Sequence, residues 1–363
     1  MPLSQGQIAI FLSVMILAAQ SDAQEFSVVE STIPEMQTAM EEGRVTSQEL
    51  VTQYLARLAL YENRINAAIA VNDKALAIAK ERDRERADGK LRGPLHGIPI
   101  AIKDNIHTTD MPTTAGTLAL EGFIPPYEAT LVTKLREAGA VILAKTVLTE
   151  MAHWMVLGMP NNYSSVAGFA FNPYDPRPDP RPGRNDGRGV LPTGSSSSGA
   201  GTAANLWAAN VGTETVNSVI GPASAAMLAA IKPTIGRISR WGIIPITYDQ
   251  DSAGPMTRTV ADAAIMLGAM EGYDPKDPTM TRRCRPPQGN DYTQYLDSNA
   301  LQGARIGVPR AWFLDAHQLP RADKPSGGVP DDQKAMMEEA ISILRNAGAT
   351  VIDPAEVPSA IAK

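Results

Sequence analysis

The sequence is poor in the residues that most enzymes and binding proteins lean on. It has 1 cysteine and 4 histidines in 363 residues, and only 5% of its residues are aromatic. A single cysteine, Cys284, cannot form an internal disulfide. Arginines flank it and could lower its pKa, but its Pro-flanked surroundings read as an ordinary loop. His96, His107, His153 and His317 are scattered, and no His/Cys cluster has metal-ligand spacing, so no metal and no cofactor is expected. There is no basic excess either. The formal net charge of −6 and the scarcity of aromatics argue against nucleic-acid binding. A mean hydropathy of −0.14 excludes a multi-spanning membrane protein.

What is present is enough apolar material (44%) for a sizeable core and one large or two ordinary domains. One apolar run, Ile8 to Ala19, is too short to span a bilayer comfortably. Ser21-Asp22-Ala23 then supplies small residues at a cleavage site, so residues 1–23 read as an export signal. Met1 to Gln7 carries no Lys or Arg, which leaves a buried helix or an uncleaved anchor as other readings. The export reading predicts a secreted or periplasmic protein that begins near Gln24 and keeps no stable membrane insertion.

The remainder, 24–363, alternates helix and strand signals. Leu50, Val51, Tyr54, Leu55 and Leu58 recur at helical spacing behind a Thr46/Glu49 capping box. A second helix is predicted from Lys74 to Ala87, a strand over Leu95 to Ile102, and a helix over Ala129 to Glu137 stopped by Gly139. A buried strand follows at Val141 to Ala144. The phrase Leu135-Arg136-Glu137-Ala138-Gly139-Ala140-Val141-Ile142 is echoed by Leu344-Arg345-Asn346-Ala347-Gly348-Ala349-Thr350-Val351-Ile352. Each is a helix end, a glycine stop and a strand start, which favours an α/β sheet clad in helices. Pro-rich residues 175–183 read as a surface loop. Residues 274–292 and 319–330 read as soft stretches.

Three pieces carry chemistry. Lys103 ends the apolar run Gly97-Ile98-Pro99-Ile100-Ala101-Ile102-Lys103-Asp104-Asn105. A lysine there either reaches for solvent or is desolvated and becomes a base. Pro192-Thr193-Gly194-Ser195-Ser196-Ser197-Ser198-Gly199 is either a flexible linker or the entry to a helix. The small apolar residues from Ala200 to Val211 suit a closely packed helix. Gly212-Thr213-Glu214-Thr215-Val216-Asn217-Ser218 would then bring a second hydroxyl back to the first, closing a helical hairpin. A serine nucleophile needs a base held against it, and these pieces offer one without histidine.

Together these blocks resemble the amidase signature family, and their wording is similar to bacterial peptide-amidase members. The lysine motif, both serine motifs, Ala230 to Arg237, and Asp251 to Arg258 follow the family's order from about Ser47 to Val308. The resemblance implies a mixed central sheet covered by helices on both sides. It implies Ser218 as nucleophile, Lys103 as base, and Ser196 as the serine bridging them, with Ser197 as the alternative. Backbone N–H groups of Thr215, Val216 and Asn217, running to Ser218, would form the oxyanion hole. The implied reaction is hydrolysis of a carboxylic or peptide amide through an acyl-enzyme, with a small molecule or peptide as partner. Val216-Asn217 stands where the family usually has Gly-Gly or Asp-Gly, and a β-branched valine resists conformations open to glycine. The family also runs on beyond the equivalent of Lys363, so the domain is expected to be incomplete at its C-terminus. The other readings are a catalytically impaired amidase-like binding protein and an amidotransferase subunit.

Overall fold

Local sequence rules set the first helices. In a computed structural model of the chain, describing residues 26–155, 159–177, 196–280, 286–318 and 323–361, Thr32 and Thr46 each head a helix with a reciprocal capping box, to Glu35 and Glu49. Of Ser196, Ser197 and Ala360 only the backbone is described. Helix α1 is Ile33–Glu41 and α2 is Ser47–Ile65. Leu50, Val51, Tyr54 and Leu58 of α2 are buried as its spacing predicts, and Asn66 ends it in the left-handed conformation at φ 51°. Helix α3, Ala75–Ala87, starts one residue later than expected because Lys74 is its N-cap. Helix α4, Thr130–Glu137, ends at Ala138, and Gly139 turns the chain at φ 94°. A Cβ at Gly139 would sit 2.6 Å from His96 Cα, so only glycine fits that turn.

The chain divides into two compact units, residues 1–293 and 294–363. The first is built on a six-stranded mixed sheet in the order β1-β3-β2-β6-β8-β7. These strands are β1 (Ala68–Val71), β2 (Pro99–Lys103), β3 (Val141–Thr146), β6 (Ala209–Glu214), β7 (Ala229–Ala230) and β8 (Ser252–Thr257). A small hairpin, β4 (Tyr163–Ser164) with β5 (Gly168–Phe169), lies outside it. Strands β3, β2 and β6 are mutually parallel, and β1, β8 and β7 pair antiparallel at the flanks. Every residue of β2, β3, β6 and β8 is buried. That is why β2 and β3 read as nearly continuous apolar runs rather than alternating ones. Helices α5 (Ser196–Ala203), α6 (Ile220–Ala225) and α7 (Val260–Met270) complete the unit.

The strand expected from Leu95 starts only at Pro99. Gly97, at φ 82°, holds residues 93–98 in turns, although Leu95 and Ile98 are still buried. The second unit pairs β9 (Arg305–Gly307) in parallel with β10 (Thr350–Ile352) and carries α8 (Asp331–Asn346) and the short α9 (Pro358–Ile361). Gly348 follows α8 at φ 91°, two residues before β10, as Gly139 precedes β3. The repeated phrase therefore has the same structure at both places. Among the described residues no helix is long and apolar enough to cross a membrane.

One expectation fails between the two serine motifs. Residues 200–211 do not form one helix. Helix α5 stops at Ala203, and β6 begins at Ala209. Asn205 adopts φ 55°, and the Leu206 amide donates back to the Gly201 carbonyl at 2.9 Å, closing the helix end. Trp207 then folds under α5, with its indole Nε1 donating to Thr202 Oγ1 at 2.8 Å. Sheet pairing of β6 with β2 and β8 outweighs the helical propensity of Ala208 and Ala209 around its start. The serines thus sit on a helix–strand unit instead of a helical hairpin. A Cβ at Gly201 would lie 2.0 Å from the Trp207 ring. Gly201→Ala is expected to cost about 1–3 kcal/mol through overpacking, read as a lower midpoint in urea unfolding.

Candidate active site

Parallel strands bring their carboxyl ends to one edge, and α/β sheets commonly bind ligands there. Here that edge holds Lys103 at the end of β2, Thr146 at the end of β3 and Glu214 at the end of β6. Lys103 is fully buried. Its Nζ donates to Thr213 Oγ1 at 2.8 Å and to the Thr213 carbonyl at 3.1 Å. Burial drives its pKa from the ordinary 10.5 to about 7, opposed by the negative charges of Asp251 and Glu214. The solvent-reaching reading of this lysine is therefore overturned, because the following Asp104-Asn105 turn keeps the strand end inside the core.

A second buried lysine, Lys145 on β3, carries no motif that would single it out in the sequence. It makes an ion pair with Asp104 at 2.8 Å and donates to Thr113 Oγ1 at 2.8 Å and the Pro112 carbonyl at 3.0 Å. Burial lowers its pKa while Asp104 pulls it back up. The contrast separates the two amines. Lys145 has a carboxylate against it and is structural, whereas the bonds of Lys103 described here go to a hydroxyl and a carbonyl.

The serine motifs divide differently. Ser195 lies outside the described residues, as do the side chains of Ser196 and Ser197. The Ser198 hydroxyl is buried and hydrogen-bonds to Thr146 Oγ1 rather than to Lys103. Ser218 is buried in the turn after β6. It lines a pocket together with Thr213, Thr215, Asn105, Arg240 and Asp251. Asn105 joins Lys103 to this pocket, because its Nδ2 donates to the same Thr213 hydroxyl at 3.0 Å and to the Ile244 carbonyl at 3.1 Å.

Two carboxylates fix the turn, and no sequence motif marks their roles. Glu214 Oε2 accepts from the amides of Val219 and Ile220 at 2.7 and 2.8 Å, holding the chain immediately after Ser218. Asp251 Oδ1 accepts from Thr215 Oγ1 at 2.6 Å, and its Oδ2 accepts from the amides of Ile246 and Thr247 at 2.8 and 3.0 Å. The Ser218 turn and the 243–248 wall are thereby tied to one side chain. Among the described residues the amides of Val216, Asn217 and Ser218 donate to no other group. Neither Val216 nor Asn217 has a positive φ. Val216 is 81% exposed, and its backbone avoids the left-handed region that favours glycine.

His96 and His107 stay peripheral. Burial lowers the pKa of both; His96 pairs with the Arg82 carbonyl and His107 packs against Tyr127. His153 pairs with the Met159 carbonyl. Cys284 and the export segment, residues 1–23, lie outside the described residues, as does most of the Pro-rich loop. Asp274 and Asp277, in a stretch expected to be soft, are buried. They bond Ser239 and Arg240, which the proline and charge content of the stretch conceals. Among the described residues no group of three acidic, His or Cys side chains could hold a metal.

The site thus places a buried amine at parallel strand ends near a pocket lined by a serine. Residues 49–362 match the Amidase family model, and the chain belongs to that family. It is 41% identical to the peptide amidase of Stenotrophomonas maltophilia, whose structure it matches with a TM-score of 0.76 over 90% of this chain and 62% of that one. An amidase family protein from Bacillus anthracis superposes with a TM-score of 0.77 at 33% identity, over 91% of this chain and 61% of that one. A glutamyl-tRNA(Gln) amidotransferase subunit of Chloroflexus aurantiacus is 37% identical over 89% of this chain and 60% of its own length. The chain spans between about half and two thirds of the length of the curated relatives it matches.

The two lysines have opposite expected effects on stability. Unfolded, Lys103 holds its proton up to about pH 10.5, but folded it gives it up near 7, so folding weakens as pH falls from 10.5 to 7. Lys103→Met is expected to raise the melting temperature, most at pH 7 and below, with the gain fading toward pH 10.5. Lys145→Met leaves Asp104 buried without its partner and is expected to cost about 3–5 kcal/mol. Thermal and urea denaturation of both variants across pH 6–10 checks the pair of signs.

Proposed function

We propose that this chain carries the catalytic centre of an amidase that cleaves a carboxylic or peptide amide to an acid and ammonia or an amine. The observation that carries this reading is Lys103. It is fully buried, its pKa lies near neutrality, and it is bonded to a hydroxyl that borders the Ser218 pocket. A neutral lysine is a competent base at that pH.

In the proposed reaction Lys103, acting through Ser196 or alternatively Ser197, takes the Ser218 proton as Ser218 Oγ bonds to the amide carbonyl carbon. The carbonyl oxygen gains negative charge and is met by the backbone N–H groups of Thr215, Val216, Asn217 and Ser218. Such donors contribute about 3 kcal/mol each to a transition state. As the C–N bond breaks, the relay returns the proton to the leaving nitrogen. Water, deprotonated by the same relay, then releases the acid and restores Ser218. Glu214 and Asp251 hold the Ser218 turn in place throughout. The likeness to an amidotransferase subunit supports a second reading, ammonia release from glutamine for a partner enzyme. We also propose export, with the mature chain starting near Gln24; N-terminal sequencing of protein from its native host tests this, and a retained Met1 overturns it.

A fluorophosphonate probe, mapped by mass spectrometry, is expected to label Ser218, and Ser218→Ala is expected to abolish both labelling and ammonia release. Lys103→Ala is expected to lower kcat/KM by about a hundred- to ten-thousand-fold. Labelling elsewhere, or an unchanged rate in Ser218→Ala, sinks the assignment.

The pH profile gives an independent check. The rate should rise through pH 7 as Lys103 loses its proton, then level off. Asp251→Asn removes a negative charge that favours protonated Lys103. The acid limb of that variant should move to lower pH, and a limb that stays put or moves up excludes Lys103 as the titrating base.

A further inference from the structure

The pocket beside Ser218 is electrically self-contained. Among the described residues two charged side chains line it, Arg240 and Asp251. Arg240 is almost fully buried, and its Nε and Nη2 reach Asp277 Oδ2 and Oδ1, both at 3.1 Å. Its backbone amide donates to the same carboxylate at 2.8 Å, and Nη1 donates to the Tyr248 carbonyl. Asp277 is itself buried, so this pair is closed on both sides. Asp251 spends its oxygens on Thr215 and on two backbone amides. Neither charge is left for a ligand. The rest of the wall includes Ile243, Ile244, Pro245, Ile246 and the Tyr248 ring.

A carboxylate or ammonium entering such a site sheds water and gains no counter-charge, whereas an apolar chain loses nothing by leaving water. We infer that the site takes amides whose acyl group is uncharged and apolar next to the scissile carbonyl, and discriminates against amides bearing a carboxylate or an α-ammonium group. The inference rests on the amide-hydrolysis reading and narrows its substrate class. It also sets the chain apart from a glutamine-using role, since free glutamine brings both charges.

The test uses 6-methylheptanamide and adipamate, which differ in an isopropyl group for a carboxylate, together with glutamine. Each is titrated for protection of Ser218 against the fluorophosphonate and for ammonia release. Protection by 6-methylheptanamide is expected at concentrations at least ten-fold lower than by adipamate or glutamine. In Tyr248→Lys, where an exposed pocket-wall residue gains a cation, the ratio should shift at least ten-fold toward adipamate. Equal or better protection by adipamate or glutamine overturns the inference and leaves the amidase reading standing. A wild-type preference that Tyr248→Lys leaves unmoved also overturns it, because the discrimination then comes from elsewhere. No labelling of Ser218 at all overturns the amidase reading, and this inference with it.

Discussion

Two lysines buried on adjacent strands, Lys103 at the end of β2 and Lys145 one residue before the end of β3, are the constraint on which the rest of the site turns. Burying an ammonium costs several kcal/mol unless a partner compensates. Lys145 meets that cost with Asp104, and the pair is further held by Thr113, Thr114 and the Pro112 carbonyl. Lys103 has only longer-range help from Asp251 and Glu214, so the cheaper route is to lose its proton near neutral pH. Burial lowers the pKa of both amines, but only Lys145 has a carboxylate in direct contact with it.

The same carboxylates that partly offset the charge of Lys103 also shape the site. Glu214 holds the start of α6 and Asp251 holds Thr215 to the 246–247 backbone. Moving either would alter both the geometry of the Ser218 turn and the electrostatics of Lys103. A pocket whose charges are all engaged in this way stays rigid, since each side chain is held by more than one bond. Among the described residues its two charged side chains are both paired, which leaves no counter-charge for an ion.

Much of the fold was legible in the sequence. The capping box at Thr46, the glycine stops at 139 and 348, and the burial of β2 and β3 each follow from short-range rules. The motif order pointed to the family, and the family model confirms it over residues 49–362. The error between residues 200 and 211 came from the same rules. Small apolar residues suit a helix and a buried strand alike, and only pairing with β2 and β8 decides between them.

The sequence by itself determined which residues were candidates for the chemistry: a lysine closing an apolar strand, and serines in two glycine-bearing motifs. It could not determine their state. Whether Lys103 met solvent or the core depended on β3 and β6 closing over β2 from both sides. The engagement of Asp251, the pairing of Arg240 with Asp277 and the role of Lys145 join segments dozens of residues apart. No local pattern encodes such contacts. Charge compensation is a property of distance in space, so only the tertiary structure decided which charges were closed off and which amine lacks a carboxylate against it.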